Sequence, residues 1–285
     1  MFKKIIIIVL ILNLTLLIWL AFQPNSQNLK IRFFDVGQGD AIYIRTPYNQ
    51  DILIDGGPST AILSKLGEVM PFWDREIDIV ILTHPHSDHI TGLVSVLQNY
   101  QVKQVYLTGA QHTTYEYLEF LKFLRDHQNI KKIKIDHVFK VKLSEDLYLQ
   151  FFYPDFDVGD ASAVVNYPFI QGNLNNTSAV VQLVYKNNSF LFTGDMEAEA
   201  ENYLLTSVQA DPTVLKSNVL KIAHHGGKNA SSSEFLKAVA PETAVISVGA
   251  GNSFGHPNQL IIDRLKSLGV EILRTDEQGD IVLAY

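Results

Sequence analysis

Cysteine is absent from the 285-residue sequence. Its absence excludes disulfide frameworks, zinc sites built from thiolates, iron–sulfur clusters and cysteine nucleophiles. A metal ion, if the protein binds one, must therefore be held by imidazole and carboxylate groups. The sequence supplies nine histidines and 30 acidic residues for that purpose.

An excess of positive charge is also missing. The chain has 23 lysine and arginine residues against 30 aspartate and glutamate residues, and its formal net charge is −7. Proteins that hold nucleic acid by broad electrostatic attraction are usually basic, so we do not expect such binding unless bound cations reverse the local field. Hydrophobic residues make up 47% of the chain, which excludes general disorder.

One long apolar run stands at the N-terminus. Residues 5–22 follow Lys3 and Lys4 and contain only two polar side chains, Asn13 and Thr15. As a helix they span about 27 Å, close to the bilayer core of about 30 Å. The paired lysines predict that the N-terminus lies inside and the rest of the chain outside the cell membrane.

The residues that follow this run decide between an anchor and a cleaved signal. Residues 21–24 read Ala-Phe-Gln-Pro, which is a poor cleavage site, so an uncleaved signal anchor is favoured. Secretion after signal cleavage stays open as the alternative. We therefore predict an anchor and linker over residues 1–27 and a folded domain over residues 28–285.

The rest of the chain alternates patterns typical of strands and helices. Residues 31–36, 41–46 and 51–55 predict an antiparallel meander, and residues 219–223 predict a later strand. Residues 154–176 predict a polar loop long enough to act as an active-site flap. The order of elements predicts an α/β fold of two sheets, each covered by helices on its outer face.

Three histidines are concentrated at the end of a predicted strand. Residues 79–83 lead into His84-Pro85-His86-Ser87-Asp88-His89. Imidazole is a common ligand of zinc-like ions, and a strand end can direct alternate side chains into a cleft. His84 and His86 can chelate one ion, whereas Asp88 and His89 point to a neighbouring position, so two metals are indicated. The alternative is a polar loop of solvated histidines.

This motif resembles that of the metallo-β-lactamase superfamily. Four further segments are similar to the extracellular hydrolase domain of the ComEC competence proteins: residues 34–41 (FDVGQGDA), 54–57 (IDGG), 192–195 (FTGD) and 222–226 (IAHHG). The resemblance extends from about residue 30 to residue 285. It implies an αββα sandwich.

The resemblance also implies a metal site. His84 and His86 would bind a first divalent ion, Asp88 and His89 a second, and Asp195 would bridge the two. Zinc and manganese are the candidate metals. Taken alone, Asp195 also fits the cap of a helix. Asp88 would in addition orient the reacting water.

Two adjacent histidines compete for the remaining ligand position. A strand delivers only one of two neighbouring side chains to a given face, so one residue of the pair should ligate. We predict His224 as ligand of the second metal and His225 as a catalytic residue that orients substrate or donates a proton, with a buried, hydrogen-bonded structural role as the alternative for His225. His256 lies in a Gly-His-Pro loop and is a candidate ligand or general acid, with a purely structural loop role as the alternative. His112, His127 and His137 are interpreted as structural.

The sequence departs from the superfamily at one position. Superfamily members typically place another metal-binding histidine shortly before the strand that leads to the bridging aspartate. Here residues 173–178 contain no histidine. An amide oxygen of Asn175 or Asn176 is a weak, hard ligand, so the first metal should be looser or manganese should be accepted. The metal count stays open.

These features predict an extracytoplasmic, metal-dependent hydrolase. The resemblance implies a phosphodiesterase or nuclease that uses a metal-activated hydroxide on a phosphodiester substrate, with DNA as the candidate polymer. Lys221 and Lys228 are weaker candidates for contacts with phosphate oxygens. Two alternatives remain: a cell-envelope phosphoesterase that acts on phosphate-containing wall polymers, and a non-catalytic surface binding module.

Overall fold

The computed structural model describes residues 2–21, 28–208 and 211–285. Residues 22–27, which include the predicted linker at residues 24–27, lie outside the described residues. In the N-terminal helix, side chains are described over residues 2–16, and their large apolar groups are exposed. Within the described part of the chain, no helix is both long enough and apolar enough to cross a membrane. The predicted span of residues 5–22 runs past the described side chains and stays a prediction.

The described strands are β1 (Lys30–Phe33), β2 (Ile42–Arg45), β3 (Asp51–Ile54), β4 (Glu76–Leu82), β5 (Gln101–Leu107), β6 (Lys131–Lys134), β7 (Phe139–Lys142), β8 (Leu147–Tyr153), β9 (Val180–Tyr185), β10 (Asn188–Phe192), β11 (Val219–Lys221), β12 (Thr243–Ile246), β13 (Glu271–Arg274) and β14 (Ile281–Ala284). The described helices are α1 (Phe2–Ala21), α2 (Ala61–Val69), α3 (Ser87–Asn99), α4 (Tyr115–Asp126), α5 (Ala163–Asn166), α6 (Ala198–Ser207), α7 (Ser233–Val239), α8 (Gln259–Ser267) and α9 (Thr275–Gln278).

The strands form two seven-stranded sheets in this part of the chain. Their orders are β14-β1-β2-β3-β4-β5-β6 and β13-β12-β11-β10-β9-β8-β7. Strands β1, β2 and β3 pair antiparallel, which confirms the predicted meander, whereas β3 to β6 and β10 to β13 run parallel. Parallel strands with helices on the outside are buried on both faces. All four residues of β3 are accordingly buried.

Three hydrophobic layers hold the sandwich together. Apolar side chains from both sheets interdigitate between them, with Phe33 and Phe192 in contact at 6.2 Å between ring centroids. Helices α2, α3 and α4 cover the outer face of the first sheet. Helices α6, α7 and α8 cover the outer face of the second. The two-sheet sandwich predicted from the sequence is confirmed.

The segment predicted to be a flap is instead folded onto the second sheet. It contains α5 and two short 3-10 helices, Pro168–Ile170 and Asn175–Thr177. Phe156 stacks on Tyr167 at 3.5 Å between ring centroids, and Tyr203 of α6 packs edge-on against both rings. Aromatic packing of this kind, which the polar composition concealed, fixes the segment against α6.

One end of the sandwich gathers the polar loops. Strands β3, β4, β10, β11 and β12 all finish at this end, as their pairing requires. Loops at the carboxyl ends of parallel strands are the usual place for a ligand site in α/β proteins. We call this end the cleft end.

Candidate metal centre

The histidine motif connects β4 to α3. His86 is extended and directly precedes α3, so Asp88 stands in the first helical turn, where a negative charge is favourable. Gly39 fits against this turn: a Cβ on Gly39 would lie 2.3 Å from the carbonyl oxygen of Asp88, and its φ of 143° also favours glycine. The backbone N–H of Asp40 donates to the same carbonyl at 3.3 Å. The loop before β2 is thereby placed against the motif.

Four side chains from three loops converge at the cleft end. Asp88, His89, Asp195 and His225 each offer one ligand atom, and these atoms lie within 4.8 Å of one another. The Nε2 atoms of His89 and His225 face the same oxygen of Asp195, Oδ2, at 3.3 and 3.4 Å. His225 Nε2 also lies 3.3 Å from Asp88 Oδ2. This group could hold a metal ion.

The outer nitrogens of the two histidines are fixed by acceptors. His89 Nδ1 donates to Asp55 Oδ2 at 2.8 Å, and His225 Nδ1 donates to the carbonyl oxygen of Ser247 at 2.9 Å. A proton on Nδ1 leaves the lone pair of a neutral imidazole on Nε2. Both lone pairs are therefore directed into the cluster, which is how hydrogen-bond acceptors on the opposite nitrogen usually orient metal-binding histidines.

Asp55 organises the histidine loop. Its φ of 57° is left-handed, an unusual conformation for a residue with a side chain. Its two carboxylate oxygens accept hydrogen bonds from the backbone N–H and the hydroxyl of Thr83, at 2.9 and 2.7 Å. Asp55, Asp40 and His89 form a second group with ligand-like spacing.

Lys221 lies inside this second group. The side chain is fully buried, and its ammonium contacts Asp40, donates to the carbonyl oxygen of Gly194 at 2.8 Å and lies 3.6 Å from Asp195 Oδ1. Buried charges require partners of this kind. The suggestion that Lys221 contacts phosphate is wrong, because no face of the ammonium reaches the cleft surface. Lys228 is exposed.

His84 and His86 face each other beside the cluster. His84 Nε2 lies 3.0 Å from His86 Nδ1 and 4.0 Å from Asp195 Oδ2. The Thr83 hydroxyl gives its proton to Asp55, so at 3.2 Å it can only accept from His84 Nδ1. The free lone pair of His84 is then on Nε2, which faces His86. This spacing fits the predicted chelation of one ion.

The adjacent histidines exchange the positions expected from the sequence. Strand β11 ends at Lys221, and residues 223–226 form a 3-10 turn in which His224 and His225 both have left-handed φ values of 50° and 53°. Strand alternation therefore does not apply. His225 points into the cluster, whereas His224 Nδ1 lies 3.1 Å from Glu197 Oε1, outside it. The geometry favours His225 over His224 as the ligand.

A second polar group borders the cluster. Glu197 accepts hydrogen bonds from the side-chain amides of Asn173 and Asn175 at 2.9 and 3.1 Å, in addition to its contact with His224. The ring centroids of His224 and His256 lie 5.3 Å apart. His224 is partly exposed. His224 and His256 thus form a wall of the cleft rather than part of the ligand cluster.

The structure also separates the two candidate asparagines. Asn176 uses both ends of its amide: it donates to the carbonyl oxygen of Phe169 and accepts from the backbone N–H of Glu197. The Oδ1 atom of Asn175 is buried and has no hydrogen-bond partner among the described residues. Of the two, Asn175 alone retains a free amide oxygen.

The electrostatics of the cluster follow from its crowded carboxylates. Burial lowers the pKa of His225, but the charges of Asp195 and Asp40 outweigh that effect and raise it to about 10. Burial likewise lowers the pKa of His89, but the charges of Asp195, Asp88 and Asp55 outweigh that effect and raise it well above its usual value. The pKa of His84 falls well below its usual value because of burial.

Comparison with known proteins identifies the family. The model of the metallo-beta-lactamase superfamily matches residues 34–250. This chain belongs to that superfamily. Its fold is that of metal-dependent hydrolases.

Two relatives match almost the whole chain. The sequence is 28% identical over 278 residues to ComE operon protein 3 of Bacillus subtilis, covering 91% of this chain and 33% of the relative. It is 26% identical over 277 residues to competence protein ComA of Neisseria gonorrhoeae, covering 92% and 33%. The chain therefore spans about a third of the length of the curated relatives that it matches.

The fold also matches solved superfamily structures. The metallo-beta-lactamase fold protein YhfI of Bacillus subtilis is 12% identical, with a TM-score of 0.55 over 90% of this chain and 100% of that chain. At this identity the likeness concerns the fold alone.

Unpaired buried atoms test whether this superfamily member fits a metal. His89 Nε2, which faces the cluster, is buried without a hydrogen-bond partner among the described residues. Asp195 Oδ1, His256 Nδ1 and Asp40 Oδ1 also lack one, although Asp195 Oδ1 faces Lys221. Leaving such atoms unpaired is costly. Imidazole nitrogens and carboxylate oxygens are suitable zinc and manganese ligands. The donor set therefore fits a divalent cation. The bridging role of Asp195 stays a prediction, although the helix-cap alternative is wrong because Glu197 occupies the position before α6.

Sequence reasoning missed Asp40 and Glu197 at the site and gave Lys221 a different role. Asp40 pairs with Lys221 of the opposite sheet, and Glu197 contacts His224; neither acidic residue has a local ligand motif. His112, interpreted as structural, has its ring 6.2 Å from that of His86. His127 and His137 contact neighbouring groups of their own surface segments.

Proposed function

We propose that this protein is a membrane-anchored, metal-dependent phosphodiesterase that hydrolyses nucleic acid outside the cytoplasm. The observation that carries the proposal is the convergence of Asp88, His89, Asp195 and His225, in which His89 Nε2 is buried without a hydrogen-bond partner among the described residues. A purely structural polar cluster would satisfy such an atom internally. The non-catalytic binding module is disfavoured for the same reason.

The residues divide into two ligand groups. We propose that His84 and His86 hold one divalent ion, zinc or manganese, with Asn175 as a weak additional ligand. His225, Asp88 and His89 hold a second, and Asp195 serves both. Bound there, such ions supply a water molecule that is acidic near neutral pH and positive charge for a phosphate group.

Neighbouring residues hold the side chains of this site in position. Asp55 and Ser247 fix the rings of His89 and His225 through their Nδ1 atoms. Lys221 holds Asp40 and the Gly194 carbonyl, so the turn that carries Asp195 is fixed from below. A preorganised arrangement of charges needs no rearrangement when substrate charge develops.

His224 and His256 contact the substrate in this proposal. They line the cleft beside the ligand cluster, and Glu197 sets the orientation of the His224 ring. Either ring can donate a hydrogen bond to a phosphate oxygen or to the leaving group. The roles assigned from sequence to His224 and His225 are thereby exchanged.

Nucleic acid is the substrate that the relatives favour. Three of them are named ComE operon protein 3, competence protein ComA and recombination protein 2. A chain with a net charge of −7 repels a polyanion at long range, so divalent ions in the cleft would provide the local attraction. We therefore expect a phosphodiester to bind at the metal site and not along the protein surface at large.

The membrane anchor is proposed from the N-terminal segment. Residues 5–22 are apolar on all faces, and the described apolar side chains of α1 are exposed. A helix that is apolar all round requires apolar surroundings. With Lys3 and Lys4 inside, the hydrolase domain lies on the outer side.

An assay with several substrates tests this function. The full chain in detergent micelles, stripped and then reloaded with manganese or zinc, is offered DNA, bis(p-nitrophenyl) phosphate, a glycerol-phosphate wall polymer and a cephalosporin. We expect hydrolysis of DNA and of the small diester, and loss of both activities in Asp195→Asn. Cleavage of the wall polymer alone would favour the envelope phosphoesterase. No hydrolysis of any phosphodiester by the metal-loaded protein would refute the proposal.

A further inference from the structure

The chain enters the hydrolase domain at the end opposite the metal centre. The backbones of Leu29 and Tyr285 exchange hydrogen bonds at 3.0 and 2.9 Å, and β1 starts at the next residue. Strand β1 then runs towards the cleft end, where Asp40 follows it. We call the end at which β1 begins the entry end.

The entry end carries an exposed aromatic pair. Phe72 is 81% exposed and Trp73 57% exposed, in the loop between α2 and β4. Their rings pack edge to face, with centroids 4.7 Å apart. Tyr48, in the turn between β2 and β3 at the same end, is 48% exposed. Large aromatic side chains grouped on a surface commonly mark an interaction site.

The loop that carries the pair is fixed in place. Arg45, at the end of β2, forms ion pairs with Asp51 and with Asp74, the latter at 3.2 Å. Asp74 donates from its backbone N–H to the Pro71 carbonyl oxygen at 2.8 Å. Because Arg45 is the register partner of Lys30, the aromatic pair is held close to the start of β1. The pair is therefore presented on a rigid support.

Charge at the entry end is only partly compensated. Asp51 and Asp74 share Arg45, and Glu76 and Asp78 share Lys103. Because these two cations face four carboxylates, contact with lipid at this end must depend on the aromatic side chains and not on charge. Tryptophan and tyrosine are enriched at the interface between membrane and water, where one part of the ring is apolar and the other is wet.

The connection limits how far this end can be from the bilayer. The chain between α1 and Asn28 spans at most about 25 Å when fully extended. We propose that Phe72 and Trp73 insert into the head-group layer of the phospholipid bilayer and direct the metal centre away from it. This inference rests on the membrane anchor of the proposed function and adds a second contact to it.

Fluorescence quenching by spin-labelled lipids tests this contact. The chain contains two tryptophans, so Trp19→Phe leaves Trp73 as the single reporter. The full-length variant is reconstituted in vesicles of phosphatidylcholine with a minority of phosphatidylglycerol, with or without a nitroxide near the head group. We expect Trp73 quenching at least about twofold stronger than that of a reporter at the cleft end, as interfacial insertion requires.

The matched control places the reporter at the opposite end. Phe254 is 68% exposed in the loop beside His256, so Trp19→Phe/Trp73→Phe/Phe254→Trp carries its tryptophan at the cleft end. Vesicle flotation is measured first. If the chain floats but both reporters are quenched equally, the lipid contact is overturned and the anchor remains. The same conclusion follows if a second protein copy, and not lipid, shields Trp73. A chain that does not float overturns both.

Discussion

Lys221 and Asp195 face each other across the base of the metal centre, with Nζ 3.6 Å from Oδ1, while Oδ2 of the same carboxylate faces His89 and His225. One oxygen of Asp195 is thus turned towards a fixed positive charge and the other towards the ligand cluster. The lysine fills the space between Asp40 and Asp195 that a cation would otherwise occupy.

Removing the lysine charge should therefore damage both folding and metal binding. Lys221→Met leaves Asp40 buried without a partner, which should cost about 3–5 kcal/mol of unfolding free energy. Metal affinity should fall as Asp195 loses its orientation. Denaturant unfolding and metal titration measure the two effects, with the exposed Lys228→Met as control. Lys221→Met/Asp40→Asn should recover part of the stability, and a strictly additive double variant would contradict a coupled pair.

The two adjacent histidines should separate in their phenotypes. His225→Ala should lose stoichiometric metal because its Nε2 lies among Asp88 and Asp195. His224→Ala should keep its metal and lose turnover by about 10- to 100-fold, the worth of one hydrogen bond to a charged group. Elemental analysis and the diesterase rate, measured on the same samples, distinguish loss of metal from loss of turnover. Loss of metal in His224→Ala alone would restore the assignment made from sequence.

Asp55 should act on the metal through His89. Asp55→Asn weakens the acceptor for His89 Nδ1, so metal affinity should decrease by about 10- to 100-fold, as it does for other carboxylates that orient a metal-binding histidine. Asp51→Asn is a matched control, since Asp51 is also a buried aspartate but lies at the entry end. Competition with a chelator measures the affinity. Equal losses in both variants would show a general effect on folding.

Metal affinity should increase with pH above neutrality. With metal removed, the pKa of His225 is raised from 6.5 to about 10 by Asp195 and Asp40 against the opposing effect of burial. Protonated His225 then stabilises the metal-free fold fully below pH 6.5, and this stability is lost as pH rises towards about 10. Because a metal must displace that proton, binding should strengthen over the same interval. Melting curves with chelator and with metal should diverge as pH rises, and parallel curves would contradict the linkage.

The ligand chemistry, the two-sheet sandwich and most residues of the metal-ligand cluster could be predicted from the amino-acid sequence. Without cysteine, only imidazole and carboxylate ligands remained, and His84 to His89 are neighbours in the chain, so one strand end suffices to bring them together. The antiparallel meander of β1, β2 and β3 could also be predicted, because its apolar runs are short and each strand pairs with the next one along the chain.

The choice between the two adjacent histidines and the long-range polar pairs of the site could be decided only from the tertiary structure. The choice between His224 and His225 depends on two left-handed backbone conformations at the end of β11, which alternation along a strand does not describe. The partnership of Asp40 with Lys221 joins loops of opposite sheets, and that of Glu197 with His224 joins turns that follow different strands. Such pairs carry no local pattern, because their distance is set by the packing of the sheets and not by the spacing of residues along the chain.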